Sequence, residues 1–315
     1  MHRFLHKLVT TLFTLLLVSL IIFLIFNVLP GNPATAILGP DADIQQIRVL
    51  EEQLGVNQPL HTRYFDWISG IFRGDLGTSY RYREPVAQII ADRLPVTLSL
   101  TLYSLIITVI IATPIGIFIS RYEGRAVSTI ANTISQLGIS IPSFWLAFVL
   151  ILVFAVKLGW FPTFGYKDLS EGLVEHLKSM FLPSVSIAIS NIAVVIRYLS
   201  NSVADQLNKD YVTTAVVKGA SDNRVMYGHV LKNASLPVIT VFGLMVADTL
   251  GGSIIVENVF ALPGIGSLLN SSVQSRDFPL IQSLVLFLSI IIVLANFAVD
   301  MLYQVIDPRI KSGGK

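Results

Sequence analysis

Long apolar runs without charged residues recur along this chain. Each run approaches the roughly 20 residues that an α-helix needs to cross a hydrocarbon layer about 30 Å thick. The candidate spans cover residues 8–29, 96–120, 134–156, 181–196, 235–256 and 280–306. The fourth span is the shortest and contains Ser184, Ser186 and Ser190. The pattern predicts an all-α integral membrane protein with six transmembrane helices.

The first span also fits a second interpretation, a cleaved signal peptide. It follows a basic start with Arg3 and Lys7, and the Ala-Thr-Ala sequence at 34–36 resembles a small-residue cleavage site. The apolar run is longer than the apolar region of a signal peptide, which has roughly 7 to 15 residues. The Pro-Gly-Asn-Pro sequence at 30–33 is typical of a helix end at a membrane surface. We therefore expect an uncleaved first helix.

The composition agrees with a membrane protein and excludes several kinds of chemistry. Hydrophobic residues make up 53% of the chain and charged residues 13%, and there is no cysteine. A soluble domain has about 25% charged residues. Without cysteine, disulfides and thiol catalysis are excluded. The formal charge of +2 is small and no basic stripe is interleaved with aromatics, so we predict no nucleic-acid partner. The apolar spans predict membrane lipid as a partner.

The distribution of lysine and arginine predicts the orientation. With six crossings and the N-terminus inside, 12 of these residues are cytoplasmic and 4 are outside once the long first loop is excluded. Long loops are left out because they cross the membrane largely regardless of charge. We therefore expect both termini in the cytoplasm.

The first long connection, residues 30–95, is extracytoplasmic in this orientation. It contains an apolar helix face formed by Ile44, Ile47, Leu50 and Leu54, followed by the aromatic residues Tyr64, Phe65, Trp67 and Phe72. We expect a small external cap. The alternative is a helix that lies on the membrane and only anchors the first span.

The chain accordingly divides into three parts. Residues 1–29 form the N-terminal tail and first helix, 30–95 the extracytoplasmic cap, and 96–315 a five-helix membrane core. The core includes a cytoplasmic loop at 197–232.

The cytoplasmic loop is predicted to form a helix, a break and a second helix. Residues 197–218 are polar and rich in helix formers, and Gly219 follows where a left-handed residue could end the helix. Ser221 can then cap a second helix that begins at Asp222 and ends near Leu231. Pro237 lies just inside the next span, where a first helical turn tolerates proline.

The same loop carries a resemblance to a known family. Asp-Tyr-Val-Thr-Thr-Ala at 210–215 leads through Lys-Gly-Ala at 218–220 to His-Val-Leu-Lys-Asn-Ala-Ser-Leu-Pro at 229–237. Further motifs are Pro-Gly-Asn-Pro at 30–33, Gln-Pro-Leu at 58–60, Gly-Asp-Leu-Gly-Thr-Ser at 74–79, Ile-Pro-Ser-Phe-Trp at 141–145, Glu-Asn-Val-Phe-Ala-Leu-Pro-Gly-Ile-Gly at 257–266 and Arg-Asp-Phe-Pro at 276–279. Nearly the whole chain resembles the permease subunits of bacterial ABC importers, in the dipeptide, oligopeptide and nickel group.

The resemblance implies a type I ABC importer permease fold and a set of partners. These are a second homologous permease, which forms a heterodimer with this chain, two cytoplasmic ATP-binding subunits and an extracytoplasmic substrate-binding protein. The chain itself contains no phosphate-binding Gly-x-x-x-x-Gly-Lys-Ser/Thr motif. It would therefore bind no cofactor and catalyse no reaction, and the partner ATPases would bind ATP and Mg.

In such permeases the cytoplasmic loop is the element that docks onto the ATPase. The residues that the resemblance assigns to it here are Thr213, Thr214, Ala215, Gly219, Ser221, Asp222, Arg224, Val225, Met226 and His229. One departure is that Thr213-Thr214-Ala215 replaces the Glu-Ala-Ala triplet of the general permease loop, as is common in the peptide group. From the residues alone, an amphipathic helix on lipid headgroups fits equally well.

Asp248 is the one acidic residue well within a predicted span, and an intramembrane charge is a functional hypothesis by default. It lies close to Gly251 and Gly252, which allow close backbone approach or a bend. We expect these three residues to face the translocation path, where Asp248 would favour a cationic or amine-bearing substrate. A structural hydrogen bond or ion pair to a neighbouring helix or to the partner permease is the alternative.

Other polar residues have simpler interpretations. Arg197 fits an interfacial anchor, with a cytoplasmic gate contact as its alternative, and Pro142 is expected to break or kink the third span. The five histidines form no convincing metal cluster, although His2 and His6 have i, i+4 spacing. We predict no metal site and no catalytic residue in this chain.

Substrate identity is the least constrained prediction. Peptides are the first choice because that branch of the family is the broadest. The compact loop at 157–180 and Asp248 also resemble nickel permeases. An intramembrane enzyme and an ATP-independent channel subunit are the alternatives from other functional classes.

Overall fold

A computed structural model describes residues 2–28, 33–39, 42–53, 55, 57–122 and 125–306. The described chain is built from helices, with one isolated bridge between Thr78 and Pro85. The α-helices are α1 (His2–Val28), α2 (Pro33–Leu38), α3 (Ile44–Gln53), α4 (Leu60–Phe72), α5 (Val86–Arg121), α6 (Ala126–Ser140), α7 (Ser143–Leu150), α8 (Leu173–Leu207), α9 (Asp210–Val217), α10 (Asp222–Val225), α11 (Leu231–Val259), α12 (Ile265–Gln274) and α13 (Phe278–Ile306). Two π-helical turns, Ile151–Lys157 and Met226–Val230, continue α7 and α10, and a 3₁₀ turn forms at Leu169–Glu171.

Four helical segments are long and apolar enough to cross a membrane. They are Leu5–Asn27, Val86–Arg121, Leu173–Leu207 and Phe278–Val299. Two bent pairs also qualify if each is one span, namely Ala126–Ser140 with Ser143–Lys157 and Asp222–Ser235 with Pro237–Gly251. Among the described residues the helices therefore provide four spans, or up to six.

The predicted break at Pro142 is confirmed. The two helices on either side of it are bent by 97°. Ile141 and Pro142 are both extended, with ψ angles of 119° and 136°. Extended backbone is expected because a proline ring disfavours the α conformation of the residue before it.

The predicted fourth span, residues 181–196, lies within a much longer helix. The helix α8 is 35 residues long and is the most buried of the candidate spans, with 67% of its apolar window inside the protein. Its serines Ser184 and Ser186 are fully buried, and the Ser186 hydroxyl donates to the Pro183 carbonyl at 2.7 Å. A hydropathy pattern counts these residues as polar, although a buried helix in a protein interior accommodates them.

Two predictions about Pro237 and the second loop helix are wrong. Helix begins at Asp222 and continues through the π-turn into α11, so Pro237 lies inside the helix instead of in its first turn. The predicted end near Leu231 does not exist. The bend of 48° between Asp222–Ser235 and Pro237–Gly251 is where proline is expected to distort a helix.

The described residues divide into two compact units. The first comprises residues of Met1–Thr97 and Pro263–Leu294, and the second those of Leu98–Leu262 and Ala295–Lys315. The core of the first unit consists of Val86, Ile89, Ile90, Ile265, Leu268, Leu280 and Leu284. The core of the second joins buried side chains of α5, α8, α9, α10 and α11. The three-part division predicted from the sequence follows membrane topology and stays a prediction.

Within the first unit, α4 packs against the end of α1. The Phe23 ring lies 5.3 Å from the Tyr64 ring and 5.9 Å from the Trp67 ring, centroid to centroid. Ser19 Oγ and Tyr64 OH are 2.9 Å apart. The predicted helix over Ile44 and Ile47 is present as α3, whereas Leu54 and residues 29–32 lie outside the described residues.

Candidate coupling and translocation sites

The break between the loop helices is built around Gly219. Its φ of +81° is the left-handed conformation that glycine adopts without strain. The Gly219 amide donates to the Val216 carbonyl at 2.9 Å and the Ala220 amide to the Ala215 carbonyl at 3.1 Å. These two bonds form the Schellman arrangement that ends a helix. The sequence prediction for Gly219 is confirmed.

The first loop helix differs from its prediction over 197–218. The helix α8 continues past Arg197 to Leu207, and a break at Asn208 and Lys209 separates it from α9. Lys209 is extended, with a ψ of 147°. Arg197 therefore lies within a helix instead of at its end, and its guanidinium is 5.6 Å from the centre of the exposed Tyr198 ring.

The second loop helix is directly continuous with the membrane helix that follows it. Ser221 occupies the N-cap position with extended backbone, but its side chain makes no cap hydrogen bond. From Asp222 the backbone stays helical through α10, the π-turn and α11. We call the segment 222–235 the lever. The lever includes the first turn of α11 and meets the rest of that helix at the bend beside Pro237.

One face of the lever is anchored in the core of the second unit. Val225, Met226 and Val230 are all buried, and they share a hydrophobic cluster with Val212 of α9 and with residues of α5 and α8. Ala215 packs against the same cluster. The side chains of Val225 and Met226, which were expected on the docking surface, instead fix the lever to the rest of the unit.

The opposite face of the loop is exposed. The predicted coupling residues on it are Thr213, Thr214, Gly219, Ser221, Asp222, Arg224 and His229. Three apolar or aromatic side chains that the sequence reasoning did not single out lie among them, namely Val216, Val217 and Tyr227, with exposed fractions of 52%, 81% and 57%. We call these ten residues the loop surface. Clustered exposed apolar groups are typical of an interaction surface.

A contact that no sequence pattern indicated joins α5 to the lever. Arg121, the last residue of α5, donates from Nη2 to Asn223 Oδ1 at 2.8 Å, and its guanidinium lies 5.5 Å from the centre of the Tyr227 ring. Nearby, Ser120 Oγ donates to the Ser200 carbonyl at 3.3 Å. The end of α5 is therefore attached to both α8 and the lever.

Asp248 lies on an exposed face of α11. Leu244, Asp248, Gly251 and Ile255 follow the i, i+4, i+7, i+11 spacing of one helix face, and all four are exposed. Among the described residues Asp248 has no ion pair, and a Cβ added to Gly251 would meet no atom within 4 Å. The buried side of the same helix is fixed by Asn191 Nδ2, which donates to Thr249 Oγ1 at 3.3 Å. Gly251 lies within α11, and the side-chain surroundings of Gly252 lie outside the described residues.

Asp277 holds together a polar clamp in the first unit that sequence reasoning missed as a site. It is fully buried and accepts hydrogen bonds from Ser79 Oγ at 2.5 Å, from the Tyr80 amide at 3.1 Å and from the Arg81 amide at 3.2 Å. The clamp ties the segment before α5 to the start of α13. Burial, strengthened by the Asp277 charge and opposed by Arg63, raises the pKa of Tyr80 to about 12. The Arg-Asp-Phe-Pro motif at 276–279 is the sequence signal that could have identified the Asp277 clamp.

The family models match almost the whole chain. The model described as binding-protein-dependent transport system inner membrane component covers residues 112–312, and a model of its N-terminal region covers residues 1–101. The chain belongs to this family of ABC importer permeases. Its family name states that transport depends on a binding protein.

Curated relatives resemble the permease over nearly their full length. A probable peptide ABC transporter permease of Sinorhizobium fredii is 36% identical, with 98% of each chain covered. A glutathione transport system permease of Escherichia coli K12 is 42% identical over 95% of each chain. A solved structure of the methionine ABC transporter MetNI in an inward-facing conformation has a similar fold, with a TM-score of 0.59, 15% identity and coverage of 70% of this chain and 97% of that one.

Membership of this permease family confirms two predictions made from the sequence, the location of the protein and its non-catalytic role. The permease is a multi-pass protein of the bacterial inner membrane, and it is a non-catalytic subunit that works with ATPase and substrate-binding partners. In the described part of the permease, no group of three histidine or acidic side chains could hold a metal ion. His176 is buried between the Tyr103 and Tyr166 rings, with Nδ1 2.7 Å from the Lys167 carbonyl oxygen.

Proposed function

We propose that this permease forms half of a translocation path for di- or oligopeptides. A second homologous permease supplies the other half as a heterodimer, two cytoplasmic subunits bind and hydrolyse ATP with Mg, and an extracytoplasmic protein delivers the substrate. The relatives named for peptide and glutathione transport support peptides over nickel, because glutathione is itself a small peptide.

The observation that carries the proposal is the continuity of the lever with α11. The partner ATPases change shape when they bind nucleotide, and a permease without nucleotide chemistry must receive that motion through a solid connection. The buried Val225 and Met226 keep the lever fixed to the unit, while Asp222, Arg224 and Tyr227 remain exposed to a partner. We propose that the loop surface docks onto an ATPase subunit.

Six spans with both termini in the cytoplasm are the topology that this function requires. Each bent helix pair then counts as one span. This arrangement places the loop surface on the cytoplasmic side and the α4 region outside, where the binding protein arrives.

We further propose that the exposed face of α11 lines the path or the contact with the second permease. A charged side chain in contact with lipid tails is costly, and intramembrane charges face protein or water instead. Since Asp248 has no ion-pair partner in the described residues, its environment is supplied by solvent, substrate or the other permease. Asp248→Asn is expected to lower transport of a peptide with a free amine more than transport of the same peptide with an acetylated amine.

The test of docking uses the whole transporter. Tyr227→Ala and Arg224→Ala should reduce copurification of the ATPase and lower peptide transport by about tenfold, because central aromatic and arginine side chains dominate interface energies. Asn201→Ala is the matched control, since Asn201 is an exposed residue of α8 outside the loop surface. Unchanged copurification in both loop variants would disprove docking through this surface. Ligand identification on the cognate binding protein tests the substrate class separately.

A further inference from the structure

A cavity of about 280 Å³ lies in the first unit, on the side of α4 that faces the end of α1. Its walls come from four segments: the end of α1, α4, the connection before α5 and the start of α13. The polar and aromatic side chains of the wall include Asn27, Arg63, Asp66, Trp67, Asp75 and Tyr80. Neither the coupling loop nor the α11 face contributes to it.

The cavity is rigidly framed. Leu76 accepts a hydrogen bond through its carbonyl from Ser283 Oγ at 3.1 Å, and the Asp277 clamp fixes the backbone at Tyr80. The Asp75 amide donates to the Gly70 carbonyl at 2.9 Å, which ties the connection back to α4. A preformed frame of this kind lowers the entropic cost of binding a ligand.

One side chain of the cavity wall has a hydrogen-bond acceptor without a partner. Asn27 Nδ2 donates to the Phe23 carbonyl at 2.7 Å, but Asn27 Oδ1 is buried and has no hydrogen-bond partner among the described residues. Buried polar atoms of native proteins nearly always have a partner, so an unpartnered acceptor on a residue that lines a cavity favours a ligand with a donor group.

The charges on the wall favour the same kind of ligand. Asp66 and Asp75 carry two negative charges against the one positive charge of Arg63. The Tyr80 hydroxyl adds no charge at physiological pH, because even an unperturbed tyrosine ionises only at about pH 10. Trp67 adds an indole ring, and the faces of such rings attract cations. A cation with several N–H donors matches this combination of carboxylates, an amide oxygen and an aromatic wall.

We propose that this cavity binds a primary ammonium group. A free amine of a small substrate and the ethanolamine headgroup of a phospholipid offer the same chemistry, and the end of α1 is a place where both could reach the cavity. The site lies apart from the loop surface and from the exposed face of α11.

Trp67 provides a direct signal of binding. The chain has three tryptophans, so replacing Trp145 and Trp160 with phenylalanine leaves Trp67 as the only indole. Both replaced residues are more than half exposed, with fractions of 52% and 62%, and their loss should leave the fold intact. Fluorescence of this variant is measured in maltoside micelles, which contain no ammonium group and expose both ends of the protein.

The titration uses butylammonium at pH 7, where alkylamines are protonated, and butanol as the neutral isostere. We expect a saturable change in Trp67 fluorescence with butylammonium and none with butanol. Asp66→Asn should weaken the apparent affinity by about tenfold, because it removes a charge-assisted contact. Asn27→Leu, which removes the unpartnered acceptor while keeping the branched four-atom shape of the side chain, should weaken it as well.

The control is Asp92→Asn, since Asp92 is an exposed carboxylate outside the cavity wall. Equal effects of Asp66→Asn and Asp92→Asn, an equal response to butanol, or no saturable response would overturn the proposal.

A competition experiment then identifies the source of the ammonium group. If short-chain phosphatidylethanolamine displaces butylammonium and short-chain phosphatidylglycerol does not, the ligand is a lipid headgroup, whereas displacement by a dipeptide amine alone identifies a free substrate. Because the assay needs no ATPase, its result does not depend on whether the transport proposal holds.

Discussion

Arg121 is the side chain through which α5 reaches the lever. Arg121→Gln removes the guanidinium and with it both the hydrogen bond to Asn223 and the stacking on Tyr227. Because Arg121 is exposed, we expect only a small loss of stability, within about 1 kcal/mol. Peptide transport per ATP hydrolysed should fall severalfold, because motion of the lever then reaches α5 less directly.

Arg125→Gln is the matched control for this prediction. Arg125 also stacks on an aromatic ring, that of Tyr122 at 5.3 Å, but it contacts no described residue of the lever. If both variants change the transport-to-ATPase ratio equally, the effect is one of surface charge and the positioning role of Arg121 is wrong.

Tyr80 makes the first unit sensitive to alkaline pH. Its pKa of about 12 lies above the unfolded value of 10, so the folded state resists ionisation of the phenol. The corresponding stability is fully present below pH 10 and is lost as the pH rises through 12, by about 2 to 3 kcal/mol. Thermal unfolding followed between pH 9 and 12 should show this loss in the wild type. In Tyr80→Phe the loss of stability should be smaller. If this variant loses as much stability as the wild type between pH 9 and 12, the burial of the Tyr80 phenol does not cause the pH dependence.

At the scale of elements, the turn at Gly219 decides where the loop helix ends. Gly219→Ala places a Cβ on a residue with a φ of +81°, which costs about 1 kcal/mol in the left-handed region. Apart from its chain neighbours, no described residue has an atom within 4 Å of that Cβ, so the cost comes from the backbone alone. We expect faster protease cleavage between α9 and α10 and weaker ATPase copurification.

Gly228→Ala separates backbone strain from added side-chain bulk. Gly228 is also exposed and its added Cβ would likewise contact no other described residue, but it lies in the π-helical turn without a positive φ. This variant should behave like the wild type. Equal protease sensitivity in the two alanine variants would show that the left-handed turn is not what matters.

Single residues in the sequence predicted some elements of the structure correctly and could not predict others. The break at Pro142 and the helix end at Gly219 depend on the backbone preferences of single residues, which sequence reveals directly. The length of α8 depends on Ser184 and Ser186 being buried by neighbouring helices, and hydropathy carries no information about neighbours. The contact of Arg121 with Asn223 and the clamp at Asp277 join residues far apart in the chain, so only the fold could place them.

At the scale of the whole molecule, the two bent pairs decide the topology. If they are spans, the chain crosses six times, the loop surface is cytoplasmic and residues 158–172 are outside. If they are not, only the four long helices cross the membrane. The loop surface is then outside, and residues 158–172 are cytoplasmic. The chain contains no cysteine, so single cysteines introduced at exposed positions report their side without background.

Three substitutions distinguish these topologies in intact cells. Phe72→Cys, at a residue 87% exposed in the segment after the first span, should react with a membrane-impermeant maleimide in either case and serves as the positive control. Phe164→Cys and Val217→Cys, at residues 71% and 81% exposed, give opposite results in the two topologies. Six spans require labelling of Phe164→Cys from outside and of Val217→Cys only after permeabilisation. The reverse pattern would place the lever outside the cell, where no ATPase could reach it, and would disprove coupling through the loop surface.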